Sequence, residues 1–91
     1  MRRFRKKPII IEAEQWFMLG DVPEAAITPI DNKGSDWICE ICNHKAQEHG
    51  KLRTLEGYHI VCPGDWIVKG IRGEFYPVKP DIFKELYESV D

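Results

Sequence analysis

The chain has 91 residues, 43% of them hydrophobic and 31% charged, with a formal net charge of −2. That length fits one domain, and that balance of core-forming and charged residues excludes a disordered chain. No apolar run approaches the ~20 residues of a membrane span. The isoleucines at positions 9, 10 and 11 are interrupted by Glu12 and Glu14, which falls short of a signal-peptide core. Three cysteines, an odd number, argue against a disulfide framework and for reduced thiols, so a cytoplasmic protein is expected. A domain this small buries only roughly 60–65% of its unfolded surface, which gives weight to a local staple such as a metal.

The chain opens on a basic arm, residues 1–7, carrying Arg2, Arg3, Arg5, Lys6 and Lys7. Elsewhere eight basic side chains face fifteen acidic ones, a balance of −7. A basic arm can bind nucleic-acid phosphates through counterion release. The acidic body would repel a polyanion, however, and no basic and aromatic stacking surface stands out. The simpler reading is a solvated tail that guards an edge strand and pairs with acidic residues of the body.

From Pro8 to Trp16 the apolar residues Ile9, Ile11 and Ala13 alternate with Ile10, Glu12 and Glu14, the period of a strand. Pro8 suits the start of an edge strand. Pro23 and Pro29 prevent a long helix over residues 22–30, although a short helical turn after Pro23 is compatible with them. Residues 31–36 read as a loop. Residues 52–55 and 58–62 flank a hairpin turn at Glu56-Gly57. Pro63-Gly64 fills the two central positions of a type II turn, where the second requires φ > 0. Residues 65–71 and 74–78 follow as strands, so residues 51–78 predict a meander of three or four antiparallel strands. After Pro80 the spacing changes to four: Ile82, Leu86 and Val90, and also Phe83 and Tyr87, predict a helical stripe with Asp81 at the cap or in the first turn.

All cysteines and histidines lie between residues 39 and 62. Structural zinc takes four nitrogen or sulfur donors in a tetrahedron, commonly with one pair from a C-x2-C turn. Cys39 and Cys42 supply that pair, and Cys62, just before the Pro63-Gly64 turn, is the natural third ligand. His49, followed by Gly50, is the choice for the fourth, with His44 and His59 as alternatives. His44 stands only two residues beyond Cys42, and His59 points to the opposite side of its strand from Cys62. Four protein ligands leave no open position for water, so the Zn2+ would be structural. Competing readings are three reduced cysteines buried as small hydrophobes and a redox C-x-x-C, for which the usual βαβ setting is missing.

No phosphate-cradling glycine loop and no nucleophile elbow are present. Asp65, Glu74 and Asp81 lie near turns, and a small enzyme built on them would need a pocket and a raised pKa; solvated turn residues explain them more simply. Trp16, Trp37 and Trp66 read as core residues.

The segments Thr54-Leu55-Glu56-Gly57, Pro63-Gly64-Asp65-Trp66-Ile67, Gly73-Glu74-Phe75-Tyr76-Pro77 and Lys79-Pro80-Asp81-Ile82-Phe83 carry a resemblance. So does the opening Phe4-Arg5-Lys6-Lys7-Pro8 with Ile11-Glu12-Ala13 and Gln15-Trp16. The chain resembles small proteins of tailed bacteriophages and prophages, similar to those grouped by a Pro-Gly-Asp-Tyr-Gly-type motif. Here Trp66 and Ile67 replace the Tyr-Gly of that motif, and residues 17–36 contribute nothing. The resemblance implies expression in a bacterial cytoplasm and implies no activity or catalytic residue.

The expectation is therefore an α+β domain over residues 8–91: a small twisted antiparallel sheet, open or partly closed into a barrel, with a C-terminal helix. It is expected to be a phage-type, non-enzymatic, zinc-stabilised binding module that engages a host protein or a small ligand. The alternatives are a nucleic-acid-binding protein using the arm and, behind it, a small enzyme.

Overall fold

The computed structural model describes residues 1–5, 7–30 and 37–90. Lys6 of the arm, the loop expected at residues 31–36, and residue 91 lie outside the described residues. Among the described residues, six short strands and one α-helix follow in order: β1 (Glu12–Gln15), β2 (Thr28–Pro29), β3 (Gly50–Thr54), β4 (Gly57–Val61), β5 (Trp66–Lys69), β6 (Phe75–Val78) and α1 (Pro80–Leu86). They form two antiparallel three-stranded sheets, β1-β5-β6 and β2-β3-β4, so the fold is α+β. Neither sheet closes on itself.

Both expected hairpins are present, but the meander is divided between the sheets. The cause is the Cys62-Pro63-Gly64-Asp65 turn. Gly64 takes φ +99° and the Asp65 N–H donates to the Cys62 carbonyl at 3.0 Å. A type II turn twists against the strands it joins and splays them. β5 therefore leaves β4 and pairs with β1 instead, from Glu12↔Lys69 to Gln15↔Trp66. Trp16 locks this crossing, because its N–H donates to the Asp65 carbonyl at 2.8 Å and its carbonyl accepts from the Gly64 N–H at 2.7 Å.

β1 is shorter than the strand expected from Pro8. Its partner β5 ends at Lys69, where Gly70 turns toward β6, so residues 8–11 have nothing to pair with and residues 8–10 are exposed. Pro23–Ala25 forms the anticipated helical turn, a single turn of 3-10 helix. The two-residue strand β2 was not legible in the sequence.

Trp16, Ala25, Leu52, Val61 and Ile67 form the core between the sheets, with Val22, Ile27 and Phe75 packed around them. Gly50 permits this packing, since a Cβ there would meet Ile27 and come within 3.2 Å of the Trp16 ring. On the other face of β5, Trp66 stacks on Phe83 (centroids 4.2 Å apart, 4° between planes), and Phe83 stacks on Tyr87 at 4.8 Å. This aromatic column positions α1.

The helix is shorter than the expected stripe, and only part of that stripe packs inward. It ends at Leu86, with Tyr87 already extended, so Val90 is not on it. Phe83 and Tyr87 pack inward, whereas Ile82, Leu86 and Val90 remain exposed. The large flat Trp66 ring selects aromatic partners over the aliphatic stripe. Among the described residues, no helix is long and apolar enough to cross a membrane.

Candidate metal centre

The loop from Trp37 to His49 is organised by its own backbone. Ile38 bridges Lys45, the Cys39 N–H donates to the His44 carbonyl at 2.9 Å, and the Asn43 N–H donates to the Cys39 carbonyl at 2.9 Å. Asn43 sits at φ +60°, the left-handed region that Asn tolerates better than most residues. This reversal directly after Cys42 bends the loop around the Cys39 sulfur, which accepts hydrogen bonds from the N–H groups of Cys42 and Ile41. Burial opposes ionisation of the Cys39 thiol, but those two bonds, joined by the side chains of His49 and Cys42, bring its pKa down to about 6.

A single 3-10 turn, Ala46–Glu48, then delivers His49. It is held at its start by Glu48 Oε2, which accepts from the Lys45 N–H at 2.7 Å. His49 is 1% exposed. Its Nδ1 lies 2.8 Å from the Lys45 carbonyl. A carbonyl only accepts, so Nδ1 donates this bond and Nε2 is the nitrogen turned toward the cluster. That nitrogen faces Cys42 Sγ at 3.2 Å, the arrangement in which a backbone carbonyl orients a metal-ligating imidazole. The Trp37 ring flanks the imidazole at 5.5 Å.

Cys62 arrives from the other half of the chain, and its Sγ lies 3.9 Å from that of Cys39. Its N–H donates to Asp65 Oδ2 at 2.9 Å. Lys79 Nζ donates to both oxygens of the same carboxylate, at 3.1 and 2.9 Å. Burial works against the Lys79 ammonium, yet the Asp65 carboxylate outweighs it and holds the amine above the usual lysine range. Burial pushes the Cys62 thiol up to about 12, with the neighbouring Asp65 charge adding to it and Lys79 opposing it. The surroundings thus favour the thiolate at Cys39 and oppose it at Cys62.

The donor atoms of Cys39, Cys42, His49 and Cys62 all lie within 4.8 Å of one another. A tetrahedral ion with sulfur at about 2.3 Å and nitrogen at about 2.0 Å places its ligands roughly 3.5–3.8 Å apart. The 3.9 Å sulfur–sulfur and 3.2 Å sulfur–nitrogen separations bracket that range. The structure therefore brings together the four residues singled out as ligands into a Cys3His cluster suited to a metal ion. His44 stays outside it, lining a groove with Phe17, Met18, Leu19 and Pro63. His59 also stays outside, exposed on β4 and beside a different groove with Glu74 and Tyr76.

The other candidate residues are dispersed. Arg2, Arg3, Arg5 and Lys7 are exposed. Glu74 is engaged with the Arg72 N–H at 3.0 Å, and Asp81 is exposed in the first turn of α1. Asp65 is not the solvated turn residue expected but is 2% exposed. Its role beneath Cys62, and that of Lys79, escaped the sequence; an Asp closing a Pro-Gly turn next to a ligand was the available signal. Trp37 is exposed and flanks His49 rather than filling the core.

Asp65→Asn retains an oxygen for the Cys62 N–H and removes the charge opposite Lys79. Lys79 is 31% exposed, so solvent screens the pair, and the expected loss is about 1–2 kcal/mol rather than the 3–5 of a fully buried pair. Urea denaturation at low and high salt checks this. A loss below about 0.3 kcal/mol would show that the contact contributes nothing measurable.

No family model matches the chain, no curated protein matches its sequence, and no solved structure matches its fold.

Proposed function

We propose that the chain is a non-enzymatic binding module, braced by one structural Zn2+ on Cys39, Cys42, His49 and Cys62, that engages a host protein in a bacterial cytoplasm during phage infection or prophage expression. Three thiolates and an imidazole are a donor set that favours zinc over the hard cations. A reducing cytoplasm keeps those thiols available. Four protein donors leave no open position for a reacting water, which supports a structural role over a catalytic one.

The observation that carries the binding role is the apolar tip beside the cluster. Phe17, Met18 and Leu19 are consecutive and exposed, Met18 by 65%. Asp21 closes this tip into a turn, with Oδ2 accepting from the N–H groups of Phe17 and Met18 at 2.9 and 3.1 Å. The tip borders the groove formed with His44, Gln47, Glu48 and Pro63. Exposed apolar residues in a fixed conformation cost stability in isolation and reduce the entropy lost on binding.

The test joins elemental analysis of untagged protein with crosslinking in cells from a photo-reactive residue in place of Leu19. One zinc per chain and a discrete protein adduct, lost in Met18→Glu without a change in melting temperature, are expected. A zinc-loaded chain that captures no protein would overturn the binding role; capture of a small molecule alone would replace the protein partner by a ligand.

A further inference from the structure

The basic arm and the C-terminal helix present complementary unpartnered surfaces. All described residues from 1 to 10 are exposed, Phe4 by 88%. Among the described residues, no ion pair joins the arm to the acidic residues of the body. The Cα radius of gyration, 14.5 Å, exceeds the roughly 12 Å of a compact chain of this length. Pro8 biases Lys7 toward extended backbone.

The surface that would receive such an arm is α1 and the residues after it. Ile82 and Leu86, one turn apart, are exposed, Leu86 by 62%, and Val90 is exposed beyond them. Asp81, Glu85 and Glu88, also exposed, surround this apolar strip. Glu85 is three residues from Ile82, on the same side of the helix. Residues 80–91 carry four acidic side chains against Lys84 alone. The arm has the matching pattern, with Arg2, Arg3, Arg5 and Lys7 interleaved with Phe4 and followed by Ile9 and Ile10.

We propose that two copies of this chain exchange arms, residues 1–10 of each lying along the Ile82/Leu86 strip of the other, with the arginines facing Glu85 and Glu88. Ten extended residues reach roughly 33–36 Å, enough to cross a body whose shorter axes are 29 and 27 Å. The exchange is isologous, so a two-fold axis makes both contacts at once and closes the assembly. Basic arm and acidic helix attract, whereas the body at −7 repels a nucleic acid; this favours a second copy as the arm's partner.

A charge swap tests the exchange on the full chain. Arg2→Glu/Arg3→Glu/Arg5→Glu reverses the arm, and Glu85→Lys/Glu88→Lys reverses the helix. Light scattering or sedimentation should give the wild type at twice the 10.6 kDa of one chain, in a form that dissociates at high salt. Each variant alone should be monomeric with an unchanged melt. Mixing the two should restore a dimer containing one of each, because both arm–helix contacts are then attractive again. A wild type that stays monomeric at hundreds of micromolar would overturn the proposal, as would dimers that persist in both variants. A monomer whose arm confers salt-sensitive binding to duplex DNA would assign the arm to nucleic acid instead.

Discussion

Cys62→Ser will yield a chain that retains no zinc after dialysis and melts where the wild type melts in excess chelator. Cys62 is the ligand that joins the β4 end to the 37–49 loop, so its loss separates two parts of the fold as well as removing a donor. Zinc in Cys/His sites contributes apparent energies on the order of 10 kcal/mol. A domain of this length has about 5–14 kcal/mol of total stability. Removing the ion therefore threatens folding itself, and a fall of at least about 15 °C in Tm is expected, since each kcal/mol moves a domain of this size by roughly 4–8 °C. The variant's melt should be indifferent to chelator, which separates metal loss from loss of a buried side chain. Metal should also leave as pH falls, because each ligand binds only in its deprotonated form. If chelator leaves the wild-type melt unmoved and Cys62→Ser costs only about 1 kcal/mol, the cysteines are ordinary core residues.

Trp16→Ala is expected to cost about 3–5 kcal/mol, as large core truncations do. Trp16 is fully buried at the centre of the core. Its backbone also makes both hydrogen bonds across the Gly64-Asp65 crossing. The main-chain bonds survive the substitution in principle, but the side chain that fixes their position against Gly50 does not. Trp16→Phe should cost less, about 1–2 kcal/mol. It leaves a smaller cavity and removes an indole N–H that is buried without an acceptor, a group that is costly to leave unpaired. Urea denaturation followed by circular dichroism measures both, with the slope of the transition checking that the unfolded state is unchanged. Equal losses for the two variants would show that the ring's volume is not what the core requires.

Much of the fold was legible because its signals are local. The type II turn at Pro63-Gly64, the two hairpins, the turn after Pro23 and the helix after Pro80 each follow from residues within a few positions of one another. The cluster was legible for a similar reason: the C-x2-C spacing marks a turn, and Cys62 stands at a strand end. His44, only two residues beyond Cys42, is the more constrained candidate by spacing, and the structure adds the Lys45 carbonyl that orients the His49 imidazole.

Pairing between distant segments was less legible. Nothing near β1 states that its partner is β5 rather than β4; the twist of one turn and the fit of Trp16 between the sheets decide it. The helix shows the same limit. Its aliphatic and aromatic stripes are equally good by spacing, and only the Trp66 ring across the sheet selects Phe83 and Tyr87. Asp65 likewise looks like any turn carboxylate until Lys79, fourteen residues on, closes over it.

By itself the sequence determined the local elements, the charge asymmetry between arm and body, and three cysteines with a choice of three histidines to ligate one ion, because each depends on side-chain chemistry and short-range geometry. The tertiary structure alone decided how the strands divide between two sheets, which helical face is buried and which polar groups go out of water, because these depend on packing between segments that the chain order leaves unconstrained.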